Sequence, residues 1–421
     1  MTNTDKPHIA PTPEAAQTPK ETTYVVAVND QGQHAVWSAE LALPVGWRQQ
    51  SAVMPKRACL AAIAATWQDI APVSVRGVGR EPERRDASPR GAEDRYEMSH
   101  EHNVRYVHDL FGEQASRRPH SAAVVSAGTQ LTYRQLDESA NQLAHHLQEM
   151  GVGPETLVGV CLERGIDAIR CLLAILKAAG AYLPLDPSLP AARLTQMCTE
   201  ARPTVVLVRG ADARAFSETD AQLLLIDEWA PKLASQPTTV PSVRPQAENM
   251  AYAIYTSGST GRPKAVAVSH GSLACVSQEI SREYQISPDD RVLQLASLGF
   301  DTSVEQILVT LICGATLMLP AAGTVAPTDL LRYLSEEQVS VIDLTPAYWH
   351  QVVAITEPDD ERLRSVRLMI TGGERADPAD CGAAIRAAPR ARLLNAYGLT
   401  ETTITSTLFD AGEELAAQEP P

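Results

Sequence analysis

Apolar positions along the chain fall into short blocks with two kinds of spacing. Tyr24-Val25-Val26-Ala27-Val28 is a strand-like run. Asn29 to Gln33 reads as a turn and His34-Ala35-Val36-Trp37 as the return strand. Leu43-Pro44-Val45-Gly46-Trp47 turns into a further short strand. From Arg57 to Trp67 the apolar residues Cys59, Leu60, Ile63, Ala64 and Trp67 share one helical face. Beyond about residue 104 the blocks alternate. Strands are predicted at 123–126, 157–161, 204–208, 223–226, 251–255, 291–295, 315–319, 339–342, 366–370 and 392–396. Helices are predicted at 136–147, 166–177, 303–312, 327–336 and 378–388. Repeated strand–helix units imply an α/β body whose largely parallel sheets are covered by helices.

This pattern divides the chain. Residues 1–22, rich in Thr, Pro and Ala, read as a disordered tail. A small unit with an antiparallel sheet and a helix spans 23–76. Residues 77–103 carry charge, Gly and Pro with little that is apolar, as a flexible linker does. The body runs from 104 to 421. The front unit holds Trp37, Trp47 and Trp67, three of the chain's five tryptophans. A small domain needs large side chains in its core. Alternatively, Trp37 and Trp47, both near turns, form a cleft for a partner.

Composition narrows the class. Apolar residues make up 44% and charged residues 21%, as in ordinary globular proteins. A net charge of −15 argues against nucleic acid as a partner. The apolar runs are too short and broken to span a membrane, and no signal peptide opens the chain, so cytoplasm is the expected compartment. Seven scattered cysteines without a C-x-x-C pair argue against a disulfide framework or zinc cluster. Cys161 and Cys171 sit in apolar runs and are expected to be buried.

The chemistry starts at Thr256-Ser257-Gly258-Ser259-Thr260-Gly261-Arg262-Pro263-Lys264, which follows a short apolar strand. Its glycines allow close backbone approach, its hydroxyls donate, and Lys264 adds a compact positive charge, so it is suited to phosphate. A plain Gly/Ser-rich surface turn has the same composition. It is not a Walker A loop, because the lysine falls two residues late and no hydroxyl follows it. The dinucleotide G-x-G-x-x-G pattern is also absent.

Three further ligand-type segments fall at strand ends. Phe300-Asp301-Thr302-Ser303 offers a carboxylate for a ligand amine, or a cap for the helix that follows. Thr371-Gly372-Gly373-Glu374 offers backbone on which a flat ring could lie. Asn395-Ala396-Tyr397-Gly398-Leu399-Thr400-Glu401 offers an aromatic ring, a hydroxyl and a carboxylate, suited to stacking on adenine and holding Mg²⁺ near phosphates.

Together with Leu131-Thr-Tyr-Arg-Gln-Leu136 and Leu176-Lys-Ala-Ala-Gly-Ala-Tyr-Leu-Pro-Leu-Asp186, these segments make residues 104–421 resemble the large N-terminal core of a nonribosomal peptide synthetase adenylation domain, within the adenylate-forming acyl-CoA synthetase and luciferase superfamily. Residues 23–76 resemble an MbtH-like protein through Asn29, Gln33, Trp37, Pro44-Val-Gly-Trp47, Arg57-Ala-Cys-Leu60, Trp67, Asp69 and Pro72. The fold this implies is a small α+β MbtH-like domain followed by a layered α/β core.

The resemblance implies ATP-dependent activation of an amino acid as aminoacyl-AMP, with release of pyrophosphate. Residues 256–264, including Lys264, would wrap the β/γ-phosphates. Tyr397 would stack on adenine, Gly372 to Glu374 would lie along its edge, and Asn395 would meet its amino group. Thr400 would touch the α-phosphate, Glu401 would hold Mg²⁺, and Asp301 would pair with the substrate's α-ammonium. The side-chain pocket would comprise Thr302, Glu305, Asp343, Ile370, Gly372, Ala396, Ile404 and Thr405 beside Phe300 and Asp301. Glu305 and Asp343 suggest a substrate with a second amine or an amide; an acidic or polar one is the opposite reading. Trp37 and Trp47 match the pair with which MbtH-like proteins dock on adenylation domains, here in cis at high effective concentration. Ala265 and Leu399 stand where the family has Gly and Pro, at positions expected to shape turns. A carrier protein is the implied further partner. The sequence reaches Pro421 without the family's ribose-holding Asp, hinge or C-terminal lysine domain, so adenylation by this chain is expected to be strongly impaired. A non-catalytic module that docks on a synthetase, and an acyl-CoA ligase for a simple acid, are the alternatives; the second leaves Asp301 without a role.

Overall fold

The structure is a computed structural model that describes residues 24–29, 34–38, 47–54, 105–256, 263–321, 323 and 325–412. The chain forms two compact units, Met1–Asp94 and Arg95–Pro421. In the first, β1 (Tyr24–Asn29) lies between β2 (His34–Ser38) and β3 (Trp47–Gln49), antiparallel to both. Val25 and Val26 are both buried. Adjacent strand residues point to opposite faces, so both faces of β1 are covered there. Trp37 pairs with Val25 and Trp47 with Asn29, which puts the two tryptophans on the strands flanking β1. The helix predicted at 57–67, the tail and the whole linker lie outside the described residues.

The second unit opens with α1 (Val107–Arg117), β4 (Ala122–Ser126), β5 (Thr129–Thr132) and α2 (Tyr133–Glu149). A capping box starts α2: Thr132 accepts from the backbone N–H of Gln135, whose side chain accepts from that of Thr132. Its buried face, Leu136, Ala140, Leu143 and Leu147, has the predicted spacing. Next come β6 (Leu157–Cys161), α3 (Ile166–Lys177), β7 (Ala181–Pro184), α4 (Ala191–Ala201), β8 (Val205–Val208), β9 (Gln222–Leu225), α5 (Trp229–Leu233), β10 (Met250–Thr256) and β11 (Lys264–Ser269). These strands form a six-stranded sheet ordered β11-β10-β7-β6-β8-β9, parallel except for the β10–β11 edge. Helix α3 is apolar nearly all round because it is buried nearly all round.

The rest of the unit is α6 (His270–Glu283), β12 (Arg291–Leu293), α7 (Asp301–Ile312), β13 (Thr316–Leu319), α8 (Pro327–Glu336), β14 (Val341–Leu344), α9 (Pro346–Val353), β15 (Leu368–Gly372), α10 (Pro378–Ala387), β16 (Arg392–Tyr397) and β17 (Thr407–Asp410). The eight-stranded sheet is ordered β17-β16-β15-β14-β12-β13-β4-β5 and is parallel except at its two edges. β12 sits between β13 and β14, so the chain leaves it first to one side and then to the other. Such a switch point opens a crevice at the carboxyl ends of the strands.

Several expected boundaries shift. Thr371 and Gly372 are the last residues of β15 instead of following it, and Asn395 to Tyr397 complete β16. Ala265 lies within β11, opposite Tyr255, and shapes no turn. Cys161 and Cys171 are buried, as their apolar surroundings suggest. Among the described residues, no helix is long and apolar enough to cross a membrane.

Candidate functional site

Asp301 is the first residue of α7, just past the end of β12. Phe300 occupies the capping position, so Asp301 does not act as the helix cap. Its carboxyl is pushed above the usual range by burial, and the nearby charge of Glu401 adds to that. Hydrogen bonds from Thr400 and from backbone N–H groups at the helix start pull the other way. The Oδ2 atom of Asp301 is buried without a hydrogen-bond partner.

Glu305 lies one helical turn further on, on the same face of α7. It is 3% exposed. The Tyr284 hydroxyl at the end of α6 donates to its Oε1 at 2.8 Å, and Oε2 has no partner. Burial pushes Glu305 up to about 7, with the charges of Asp343 and Asp301 adding and Tyr284 and Thr405 opposing. Asp343, in β14, is raised to about 6 by burial against a hydrogen bond from Gln306. A small cavity runs between them, walled by Tyr284, Ile286, Val292, Val309 and Ile370. Ile370 is held from behind by Trp349, whose indole N–H donates to its carbonyl at 3.1 Å.

β15 and β16 bring Ile370, Gly372, Asn395 and Ala396 to the same edge, with Gly372 opposite Ala396. A Cβ on Gly372 would lie 2.4 Å from the carbonyl oxygen of Ala396, so the neighbouring strand requires this glycine whether or not a ligand is present. Gly398 is tighter: its Cβ would meet the Ile404 carbonyl oxygen at 1.6 Å. That close approach turns the chain after β16 so that Ile404 is buried and Thr405 faces Glu305. Tyr397 and Phe300 stand at the rim, 63% and 66% exposed. Gly373, Glu374 and Glu401 are also exposed, while Thr302 and Thr400 are half-buried.

The Thr256–Lys264 segment bridges two antiparallel strands, with Thr256 paired to Lys264. A Walker A loop instead runs from strand into helix, so the geometry separates the two classes as the motif does. Ser257, Gly258, Ser259, Thr260 and Gly261 lie outside the described residues. Lys264 is exposed at the start of β11, and β11 packs beside the short turn Thr400–Thr402. The exit of this segment therefore reaches the carboxyl-end crevice of the other sheet.

Three residues of the site had no signal in the sequence. Tyr284 ends a helix that the apolar pattern did not mark. Gln306 follows Glu305 and reads as an ordinary helical polar residue. Tyr252, in β10, has a buried hydroxyl without a partner; burial raises its pKa, and Asp301 and Glu305 add to that.

The chain matches the family model described as AMP-binding enzyme over residues 111–420, and that described as MbtH-like protein over 14–78. The chondramide synthase of Chondromyces crocatus is 39% identical over 307 residues, which is 72% of this chain and 8% of that protein. The isonitrile lipopeptide synthase of Streptomyces coeruleorubidus is 39% identical over 312 residues, 73% of this chain and 21% of that protein. The chain thus spans only a small part of the length of these relatives. Among solved structures, the AMPPNP-bound form of the nonribosomal peptide synthetase FmoA3 matches with a TM-score of 0.67 and 30% identity, over 77% of this chain and 35% of that one. The N-terminal subdomain of Klebsiella oxytoca NpsA shares the fold, with a TM-score of 0.65 at 23% identity over 74% of this chain and 78% of that one. The chain belongs to the AMP-binding enzyme family, with nonribosomal peptide synthetases among its relatives, and carries an MbtH-like segment ahead of that body.

Proposed function

We propose that this chain provides the ATP- and amino-acid-binding core that activates an amino acid as aminoacyl-AMP, with release of pyrophosphate, for nonribosomal peptide assembly. Asp301 carries the reading. A carboxylate buried at the crevice with an unpaired oxygen is costly alone and is offset by a substrate ammonium. A simple acid without an α-amine would leave that cost in place.

The reaction joins the substrate carboxylate to the α-phosphorus while pyrophosphate departs. The protein's part is positional and electrostatic. Asp301 fixes the ammonium and so aims the carboxylate. Thr400, close enough to lower the pKa of Asp301, touches the α-phosphate, which brings amino-acid placement beside phosphate placement. Lys264 is exposed and offers its charge to the β/γ-phosphates with the hydroxyls of residues 256–260. The exposed ring of Tyr397 stacks on adenine, with Gly372 to Glu374 along its edge and Asn395 at its amino group. Mg²⁺ is usually held by one or two carboxylates plus substrate phosphates. Glu401 fits that mode, being exposed and free of ion pairs among the described residues. Bound there, the ion would neutralise phosphate charge. Thr302, Glu305, Asp343, Ile370, Ala396, Ile404 and Thr405 shape the side-chain pocket for a polar or amine-bearing substrate. The MbtH-like unit, through Trp37 and Trp47, supports the adenylation core in cis, and a carrier protein accepts the product.

Amino-acid-dependent ATP–pyrophosphate exchange tests this. Asp301→Ala is expected to lower exchange about 10²- to 10³-fold while binding of an ATP analogue is retained. Equal exchange with des-amino acids would sink the amino-acid reading.

A further inference from the structure

We propose that Tyr284 and Gln306 set Glu305 and Asp343 as a two-carboxylate cage for the side-chain ammonium of a dibasic amino acid. This rests on the amino-acid reading above. Each acid is held by one oxygen. Tyr284 donates to Oε1 of Glu305 at 2.8 Å, and Nε2 of Gln306 donates to Oδ2 of Asp343 at 3.1 Å. Gln306 cannot turn over, because its amide oxygen already accepts from the N–H groups of Leu295 and Ala296, each at 3.2 Å. The device therefore has a fixed polarity: donors behind, acids in front.

What the cage lacks is a positive charge. Oε2 of the buried Glu305 has no partner, and among the described residues no Lys, Arg or His lines the cavity. A buried and a half-buried acid without a counter-ion are unfavourable for the fold. An entering ammonium removes that cost. A neutral side chain leaves it, and an acidic one adds a third carboxyl. Asp301 and Glu305 are four residues apart on α7, roughly 5–6 Å between their Cβ atoms. One helix face thus presents acids to both nitrogens of a substrate whose amines are separated by a few methylenes.

In the free protein the pair holds a proton near neutrality, since Glu305 is raised to about 7 and Asp343 to about 6. The groups facing them are Tyr284, Thr405, Gln306, Asp301 and Tyr252. An entering ammonium ionises both acids, and the displaced proton leaves to solvent.

Isothermal titration of the full chain, saturated with a non-hydrolysable ATP analogue, tests the cage with lysine, ornithine, norleucine and glutamate. Lysine or ornithine should bind about 30-fold or more tighter than norleucine. Measured in buffers of different ionisation enthalpy at pH 7, only the dibasic ligands should release protons. Tyr284→Phe and Gln306→Leu should each weaken lysine about tenfold without changing norleucine. Tyr284→Phe should also move the pH profile of lysine affinity upward. If norleucine or glutamate binds as well as lysine, the dibasic class falls and amino-acid activation stands. If only the ATP analogue binds, both fall. Equal weakening of lysine and norleucine in the variants would overturn the positioning role.

Discussion

Two regions of the body bury titratable side chains, and they do so to different ends. One is the acid pair Glu305 and Asp343 at the switch point. The other is a histidine cluster between α1, α3 and α6. There His108 stacks on Tyr106 at 5.6 Å between ring centroids, and His270 meets both rings edge-on at 5.9 Å. Buried Lys177 lies close by and is paired to Asp137 at 2.8 Å. Burial lowers His270 to about 4 and lowers His108 well below its ordinary value, with His270, Lys177 and Arg244 adding to the effect on His108. The two histidines and the two acids therefore favour neutral forms. The acid pair lines a cavity and leaves Oε2 of Glu305 unpartnered; the ring nitrogens of His108 and His270 are also unpartnered but line no part of that cavity. Burial of ionisable groups is thus not by itself the mark of a site; an unanswered polar atom beside open space is a better one.

The largest expected effect separates the regions by stability. Asp137→Ala strands the Lys177 ammonium inside the body and should cost about 3–5 kcal/mol in urea unfolding. Ligand affinity measured at low temperature should barely move. Glu305→Gln should do the reverse. Lysine affinity is expected to fall about 100-fold, whereas stability at pH 8 should rise by about 1–2 kcal/mol because one buried charge is gone. If the substitution destabilises at pH 8, Glu305 belongs with the structural groups.

The pH dependence of unfolding gives the next contrast. For the histidines, the unfolded chain takes up protons near 6.5 that the fold refuses. Their contribution is full above 6.5 and is lost as pH falls toward about 4. The acid pair has the opposite slope: the fold keeps a proton that the unfolded Glu305 releases near 4.5. That contribution is full below 4.5 and is lost as pH rises through about 7. Replacing His270 with Phe should flatten the acid limb by about 1–2 kcal/mol between pH 7 and pH 4.5 and leave the neutral limb alone. The smallest effect is expected from Trp349→Phe, which removes one hydrogen bond behind Ile370, about 1 kcal/mol, and loosens the pocket wall without altering its charge.

Much of the body was legible from periodicity. α3 and α8 fall where their spacing placed them, because strongly apolar or cleanly amphipathic runs override local noise. β5, β11, β17, α1, α4, α5, α6 and α9 were not anticipated. β17 is short, and β11, although it carries Ala265-Val266-Ala267-Val268, is a largely exposed edge strand. α6 begins His-Gly-Ser, a weak helical start until Ser269 caps it through the Ser272 N–H. For the site, motifs gave Asp301, Gly372, Tyr397 and Glu401, whose residue types suggest their chemistry. Gly372 then proved to have a second reason, the carbonyl of Ala396. Tyr284 and Gln306 stayed hidden because their importance is relational: each matters through the oxygen it occupies on another side chain.

The order β14-β12-β13 has a consequence for how such a pocket could be recoded. Glu305 hangs from a helix that follows β12, and Asp343 stands on β14, so the two acids sit on separately built walls. Changing one leaves the other's backbone untouched. Removing Asp343 also removes its repulsion on Glu305, so Glu305 ionises more readily and retains part of its hold on a cation. In the proposed cage, a path of single substitutions that starts with Asp343 therefore keeps a working intermediate, with the scaffold as a constant.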